Sequence, residues 1–127
     1  MATTSNGTRT FTAGGTIPAN ARVKLDGTTA DSVVVSVATD KAAYLGVSLS
    51  GDAVSGDTIT VAIKGLYNGT VKCIAAEAIA ANTVIYGADD GEVKDTSNGN
   101  PIGHTLEAAS ADQSIVECIL LDQVAVV

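Results

Sequence analysis

The fold is decided by two similar stretches, Ile17-Pro18-Ala19-Asn20-Ala21-Arg22-Val23 and Ile79-Ala80-Ala81-Asn82-Thr83-Val84-Ile85. Each begins with isoleucine, carries asparagine three positions later and leads into residues that favour a β-strand. The two isoleucines are 62 residues apart, and so are the two asparagines. Self-similarity at a fixed spacing is typical of an internal repeat, in which one structural unit occurs twice.

The elements that follow each stretch recur in the same order. The matching pairs are the acidic-glycine turns Asp26-Gly27 and Asp90-Gly91, the runs Leu45-Gly46-Val47-Ser48-Leu49 and Ile102-Gly103-His104-Thr105-Leu106, and the segments Ser55–Ile59 and Ser110–Ile115. The spacing between partners shrinks along the chain, so the two copies differ in loop length. A chance similarity between short strands and glycine turns is the alternative interpretation.

Two units of this kind predict how the chain folds. One unit of a few strands cannot bury its own apolar face, whereas two units can close on each other. We therefore predict an all-β fold, a small barrel or sandwich built from two similar β units, with at most one short helix. The units extend over about residues 16–66 and 78–122, within a single β domain of residues 16–127.

Two local motifs between the strands make further predictions. The alanine-rich segment Cys73–Ala81 suits either a short helix or an irregular loop, because it is barely two turns long. Asn68-Gly69 predicts a type I′ hairpin that joins Leu66-Tyr67 to Thr70-Val71, since both residues tolerate positive φ. Cys73 and Cys118 lie in apolar, strand-like stretches, which suits two buried free thiols or a disulfide between strands.

Residues 1–15 are predicted to form a flexible N-terminal arm, because they carry almost nothing to bury. Within them, Thr8-Arg9-Thr10-Phe11-Thr12 alternates in polarity and is rich in β-formers, so it can add a strand to an edge that is offered to it. A plain disordered terminus is the alternative. The apolar end of the chain, Val124-Ala125-Val126-Val127, is expected to dock on the body.

Charge and composition argue against several classes of partner. The chain has a formal net charge of −7, and its seven basic residues are scattered singly, which disfavours nucleic acid and an anionic membrane surface. Residues 1–12 are polar, unlike a signal peptide, and no apolar run approaches the roughly 20 residues of a membrane-spanning helix. We therefore expect synthesis in a reducing cytosol.

Residues with catalytic or metal-binding chemistry are few. His104 is the only histidine, so no histidine-based metal cluster can form. Asp89-Asp90-Gly91-Glu92 lacks the ligand spacing of a calcium loop and predicts a solvated turn. No nucleophile-elbow, phosphate-loop or Cys-His-Asn pattern occurs in the sequence. The prediction is a protein that is not an enzyme, with no catalytic residue, no cofactor and no metal.

The combination of a polar arm, repeated strand entries, acidic turns and glycine-centred strands resembles a known family, the capsid-decoration (head-stabilising, cement) proteins of tailed bacteriophages. The resemblance covers residues 11–123. Asn20 and Asn82 stand where many members have glycine, a replacement that asparagine permits at positive φ. The matching pieces are Ala19-Asn20-Ala21-Arg22-Val23, Leu45-Gly46-Val47, Ser55-Gly56-Asp57, Ala81-Asn82-Thr83-Val84 and Ile102-Gly103-His104.

The resemblance implies a structural virion protein, and the charge pattern described above predicts no nucleic-acid or membrane partner. The resemblance implies a homotrimer that binds the major capsid protein on the capsid exterior, stabilises the expanded icosahedral shell and is made in the host bacterial cytoplasm. It also implies an arm that lies on the capsid protein. From the residues themselves we expect Phe11, the only phenylalanine, to be the apolar anchor of this arm. The predicted capsid-contact residues are Thr8, Arg9, Thr10, Phe11 and Thr12.

An alternative function is a phage fibre or surface-binding, lectin-like β module. Sugar recognition usually employs exposed aromatic side chains, and the sequence offers only Tyr44, Tyr67 and Tyr86 besides Phe11.

Overall fold

The structure, a computed structural model, describes residues 7–120 and consists of two β units in sequence. This confirms the predicted all-β fold. Two 3₁₀ turns, Ala38–Asp40 and Asp89–Gly91, are the helical segments among these residues. The first unit contains β1 (Thr8–Ala13), β2 (Arg22–Leu25), β3 (Ser32–Val35), β4 (Gly46–Ser48) and β5 (Thr58–Ile63). The second contains β6 (Val71–Ile74), β7 (Val84–Gly87), β8 (Val93–Lys94), β9 (Gly103–Thr105) and β10 (Ile115–Leu120).

The two units share one topology. In the first, the strands close into a barrel in the order β1-β3-β2-β4-β5, with β1 antiparallel to β5 and parallel to β3. In the second, the order β6-β10-β9-β7-β8 repeats this arrangement as a half-barrel. A parallel bridge between Ala75 and Val93 corresponds to the pairing of Ala13 with Val33 in the first unit.

The repeated stretches meet the same backbone requirement in both units. Asn20 and Asn82 have φ of 67° and 58°, so both adopt the left-handed conformation that asparagine tolerates. The peptide N–H of Asn20 donates to Ser48 O, and that of Asn82 donates to Thr105 O at the matching place. The asparagines therefore turn the chain into β2 and β7 in the same way.

The predicted boundary at residue 15 is wrong for the part of the arm that the structure describes. Strand β1 (Thr8–Ala13) lies inside the first barrel, paired with β5 over five residues and with β3 at its end. The strand addition expected of this segment thus takes place on edges of the same chain, because β3 and β5 leave a gap that β1 closes. Residues 1–6 and the C-terminal Val124–Val127 lie outside the described residues.

The position of β1 in the barrel also means that both units begin earlier in the chain than predicted. The first begins at β1 rather than near residue 16, and the second at β6 rather than near residue 78. The sequence does indicate the earlier starts, since the 62-residue spacing extends back to Ala13 and Ala75. Each of these two alanines forms the equivalent parallel pairing in its unit.

The hairpin predicted at Asn68-Gly69 is also wrong. Strand β5 pairs with β1 and β4, whereas β6 pairs with β10, so residues 64–70 connect the two units. The Asn-Gly dipeptide favours a local turn, but closure of the barrel determines which strands pair with each other. Cys73–Ala81 forms the end of β6 followed by an irregular segment, the loop alternative considered above.

Two apolar clusters fill the units. One lies inside the first barrel around Phe11, Val23 and Val61. The other fills the second unit and is joined by four side chains of the first: Ala42, Tyr44, Val47 and Ala62. One patch of the outer surface of the first barrel is therefore buried by the second unit. No helix within residues 7–120 is long and apolar enough to cross a membrane.

Candidate functional site

The predicted capsid-contact residues lie on two different faces of β1. Phe11 is 5% exposed and belongs to the core of the first barrel, so it is not a surface anchor in this fold. Arg9 lies on the same side, where its Nη2 donates to Asp31 Oδ1 at 2.6 Å and its guanidinium carbon lies 4.6 Å from the centre of the Phe11 ring. Arg9 therefore covers the edge of the core.

Thr8, Thr10 and Thr12 alternate with these residues and point the other way. Thr10 and Thr12 are exposed, and Thr8 is partly buried. On the adjacent strand, Thr60 lies opposite Thr10 and Thr58 lies opposite Thr12. We call Thr10, Thr12, Thr58 and Thr60 the threonine face. It offers uncharged hydroxyl groups on a regular β surface, and the sequence prediction identified half of it.

A buried arginine holds the two units together. Arg22, in β2, is fully buried, and its guanidinium reaches into the second unit. Its Nη2 donates to Ala88 O at 2.6 Å, its Nε donates to Glu92 O at 3.0 Å, and its Nη1 donates to Ser36 Oγ at 3.2 Å. Burial lowers the pKa of Arg22, but a guanidinium remains protonated in a protein. The charge is thus stabilised by oriented carbonyl groups.

The loops beside Arg22 extend this junction. Ala38 N–H donates to Asp89 Oδ1 at 2.8 Å, and Gly91 N–H donates to Ser36 O at 2.8 Å. The Asn98 side-chain amide donates to Ala38 O in the first unit and to Gly87 O in the second, both at 2.8 Å. Apart from the bond between Asn98 and Gly87, each contact joins one unit to the other, so the units form one continuous body there.

The aromatic ring of Tyr44 completes the junction. It is buried, with the Arg22 guanidinium carbon 5.1 Å and the Lys64 ammonium nitrogen 4.6 Å from the ring centre. Lys64 Nζ also donates to Ala42 O. Tyr44 is therefore an element of the junction and not an exposed platform for sugar. Sequence reasoning missed the junction, although one signal existed: Arg22 stands where the second copy has Val84.

The two cysteines are free and buried within the second unit. The neighbouring Cys73 thiol and burial together raise the pKa of the Cys118 thiol far above its ordinary value. A thiol acts as a nucleophile only as the thiolate, so this environment opposes reactivity at Cys118. Within residues 7–120, no group of three His, Cys, Asp or Glu side chains could hold a metal ion.

Comparisons with known proteins agree with this architecture. The family model described as phage cement protein matches residues 2–120. No curated protein matches the chain. The crystal structure of the N base of head fibre gp8.5 in bacteriophage phi29 is similar, with a TM-score of 0.69, 97% of each chain covered and 16% sequence identity. At that identity the likeness shows a shared fold. Since the family model covers nearly the whole chain, this protein belongs to the phage cement protein family, and it is a structural protein of the virion associated with the capsid.

Proposed function

We propose that this protein binds the outer surface of an icosahedral phage capsid as a homotrimer and stabilises the expanded shell. The observation that carries the proposal is the family match over residues 2–120. The partner is the major capsid protein, and the protein acts on the exterior of the virion after synthesis in the host bacterial cytoplasm.

The physical properties of the body support this role. The junction around Arg22 joins the barrel and the half-barrel into one body, so few internal degrees of freedom are lost when the protein binds. The net charge of −7 favours solubility of the free protein before it meets a shell. Three copies in one trimer would combine weak individual contacts into avid binding.

We propose the threonine face as the capsid contact, in place of the arm with a Phe11 anchor. Thr10 and Thr12 come from the segment that the resemblance assigned to the capsid, and their side chains are exposed. Hydroxyl groups donate and accept hydrogen bonds without the desolvation cost of a charge. The proposal keeps Thr8 at the margin of the contact and assigns Arg9 and Phe11 to support of the strand.

The test is binding to expanded shells of the phage that encodes this protein. Purified protein is mixed with shells that lack it, and the copies bound per shell and the temperature at which shells break are measured. Saturable binding in multiples of three and a higher breakage temperature are expected. No binding at any protein concentration would refute the proposal.

Variants then locate the contact. Thr10→Arg combined with Thr12→Arg places two bulky side chains on the threonine face and should abolish shell binding. Thr39→Arg is the matched control, because Thr39 is exposed on a 3₁₀ turn away from this face. Equal binding by both variants would place the capsid contact elsewhere.

The likeness to a head-fibre base supports a second candidate function, a mount for a surface fibre or a surface-binding module. Binding of the free protein to host cell-surface glycans, without binding to shells, would favour this candidate over decoration.

A further inference from the structure

The second unit carries an exposed apolar surface on the outer side of its sheet. We call it the distal face and define it by Val84, His104, Leu106, Ile115 and Ile119. The four aliphatic side chains are between 37% and 47% exposed. Val84 pairs with His104, and His104 pairs with Ile119, so these three residues form one row across β7, β9 and β10. Leu106 and Ile115 extend the surface on one side of the row.

The equivalent row of the first unit is covered. Arg22 pairs with Val47, and Val47 pairs with Ala62, in the same register across β2, β4 and β5. These residues are 0%, 0% and 2% exposed, because the second unit packs on them. Equivalent rows of the repeat are thus buried by a neighbouring β unit in the first copy and exposed to solvent in the second.

Two of the three exchanges between the rows place a more apolar or larger aliphatic side chain on the exposed surface, whereas His104 stands in the place of Val47. Ile119 stands in the place of Ala62, and Val84 stands in the place of Arg22. Exposed clusters of large aliphatic side chains are uncommon on monomers and mark interaction sites. Scattered exposed residues such as Leu25 need no such explanation.

We infer that the distal face is the surface through which one copy of this chain packs on another. The inference rests on the homotrimer in the proposed function and names the face that forms it. Within one chain, a β unit of the same protein already covers the equivalent row. Contacts around a three-fold axis are heterologous, so the distal face would lie close to the axis, where apolar side chains of each chain contact those of both neighbours.

The charges around the distal face favour contact between identical chains. The chain carries 14 acidic and 7 basic residues, so a random self-contact would bring like charges together. None of the five residues of the distal face is acidic. Glu117 lies between Ile115 and Ile119 on the same side of β10, opposite Lys72 in the strand register, and its carboxylate accepts a hydrogen bond from Thr70 Oγ1. The surface around the five residues therefore presents both signs of charge.

The experiment measures the mass of the free full-length protein at tens of micromolar by light scattering after size exclusion. The expected mass is three times the 12.6 kDa of one chain. Ile119→Asp should reduce the mass to that of one chain. Leu25→Asp, at a more exposed aliphatic residue of the first unit, should leave it at three chains. Far-ultraviolet circular dichroism identifies folded variants, and Val84→Lys replaces Ile119→Asp if the latter does not fold.

Each outcome has one meaning. An unchanged mass for both folded distal-face variants, or a wild-type protein of single-chain mass, would overturn the inference. In the latter case, shell binding lost in Ile119→Asp identifies the capsid as the occupant. Increased apolar-dye binding after deletion of residues 121–127 identifies that segment as the occupant. Failure of the proposed function is distinguishable, since it would appear as a wild-type trimer that does not bind shells.

Discussion

Gly46 and Gly103 occupy the same place in the two units, each pressed against a carbonyl oxygen of the neighbouring long strand. A Cβ at Gly46 would lie 2.0 Å from Ala62 O, and a Cβ at Gly103 would lie 2.0 Å from Ile119 O. Any side chain here would have to displace backbone atoms of a paired strand. The glycine in each copy of the repeat is therefore required by close approach of β4 to β5 and of β9 to β10.

Gly46→Ala and Gly103→Ala should each destabilise the protein by about 3 kcal/mol, at the upper end of the usual cost of overpacking. The free energy of unfolding from urea titration is the measurement. Gly51→Ala is the control, because a Cβ there meets no atom within 4 Å, and it should change stability by less than about 0.5 kcal/mol. A small effect at both strand glycines would mean that the sheets shift at little cost.

Replacement of Arg22 by methionine should weaken the junction between the units. The change leaves Ala88 O without its donor, whereas Glu92 O still accepts from Ala88 N–H, and a buried unpaired acceptor costs about 1–3 kcal/mol. We expect a loss of about 3 kcal/mol and a thermal transition that separates into two steps by calorimetry. Lys24→Met, on the same strand, removes only a partly exposed ion pair with Asp40 and should cost less than about 1 kcal/mol. Equal losses for the two variants would contradict this role of Arg22.

Ser48 and Thr105 are equivalent buried hydroxyl residues with different surroundings. Thr105 Oγ1 donates to Ala80 O at 2.7 Å and accepts from Thr83 N at 3.1 Å, whereas Ser48 Oγ has no partner within residues 7–120. Thr105→Val should therefore cost about 1–3 kcal/mol, while Ser48→Ala should be neutral or stabilising. Urea titration of both variants tests the pair, and a larger loss for Ser48→Ala would show that its hydroxyl is satisfied by water.

Asp40 should make the stability of the junction depend on pH. Burial tends to raise the pKa of Asp40, but hydrogen bonds from Val37 N–H and Ser36 Oγ and the nearby Lys24 ammonium outweigh it and hold the pKa below its ordinary value. A carboxylate with a lowered pKa stabilises the folded state above its unfolded-state pKa of about 4, and this stabilisation is lost as pH falls through the folded-state value.

The corresponding variant is Asp40→Asn, compared with wild type from pH 7 to pH 2.5. The variant should be less stable by about 1–2 kcal/mol at pH 7, because it loses hydrogen bonds to a charged acceptor. The difference should shrink below pH 4 as the wild-type carboxylate becomes protonated. A difference independent of pH would show that the ionised form has no special role.

Much of the fold follows from the sequence because the information is local. Strands are indicated by alternation, and the left-handed turns at Asn20 and Asn82 by a residue that tolerates positive φ. The order of turns and strands recurs, and the structure has the two β units that this repeat predicts. The family resemblance rests on the same local features, and the match over residues 2–120 confirms it.

What the sequence by itself determined is therefore the class of element, the repeat and the family. Only the tertiary structure decided that Thr8–Ala13 closes a barrel, that Asn68-Gly69 links units, that Arg22 is buried and that its counterpart Val84 is exposed. The reason is that strand pairing and burial depend on which edges and surfaces remain uncovered after the rest of the chain has folded. The Arg22 bonds to Ala88 and Glu92 cross more than half the chain, and no local pattern encodes such a partner.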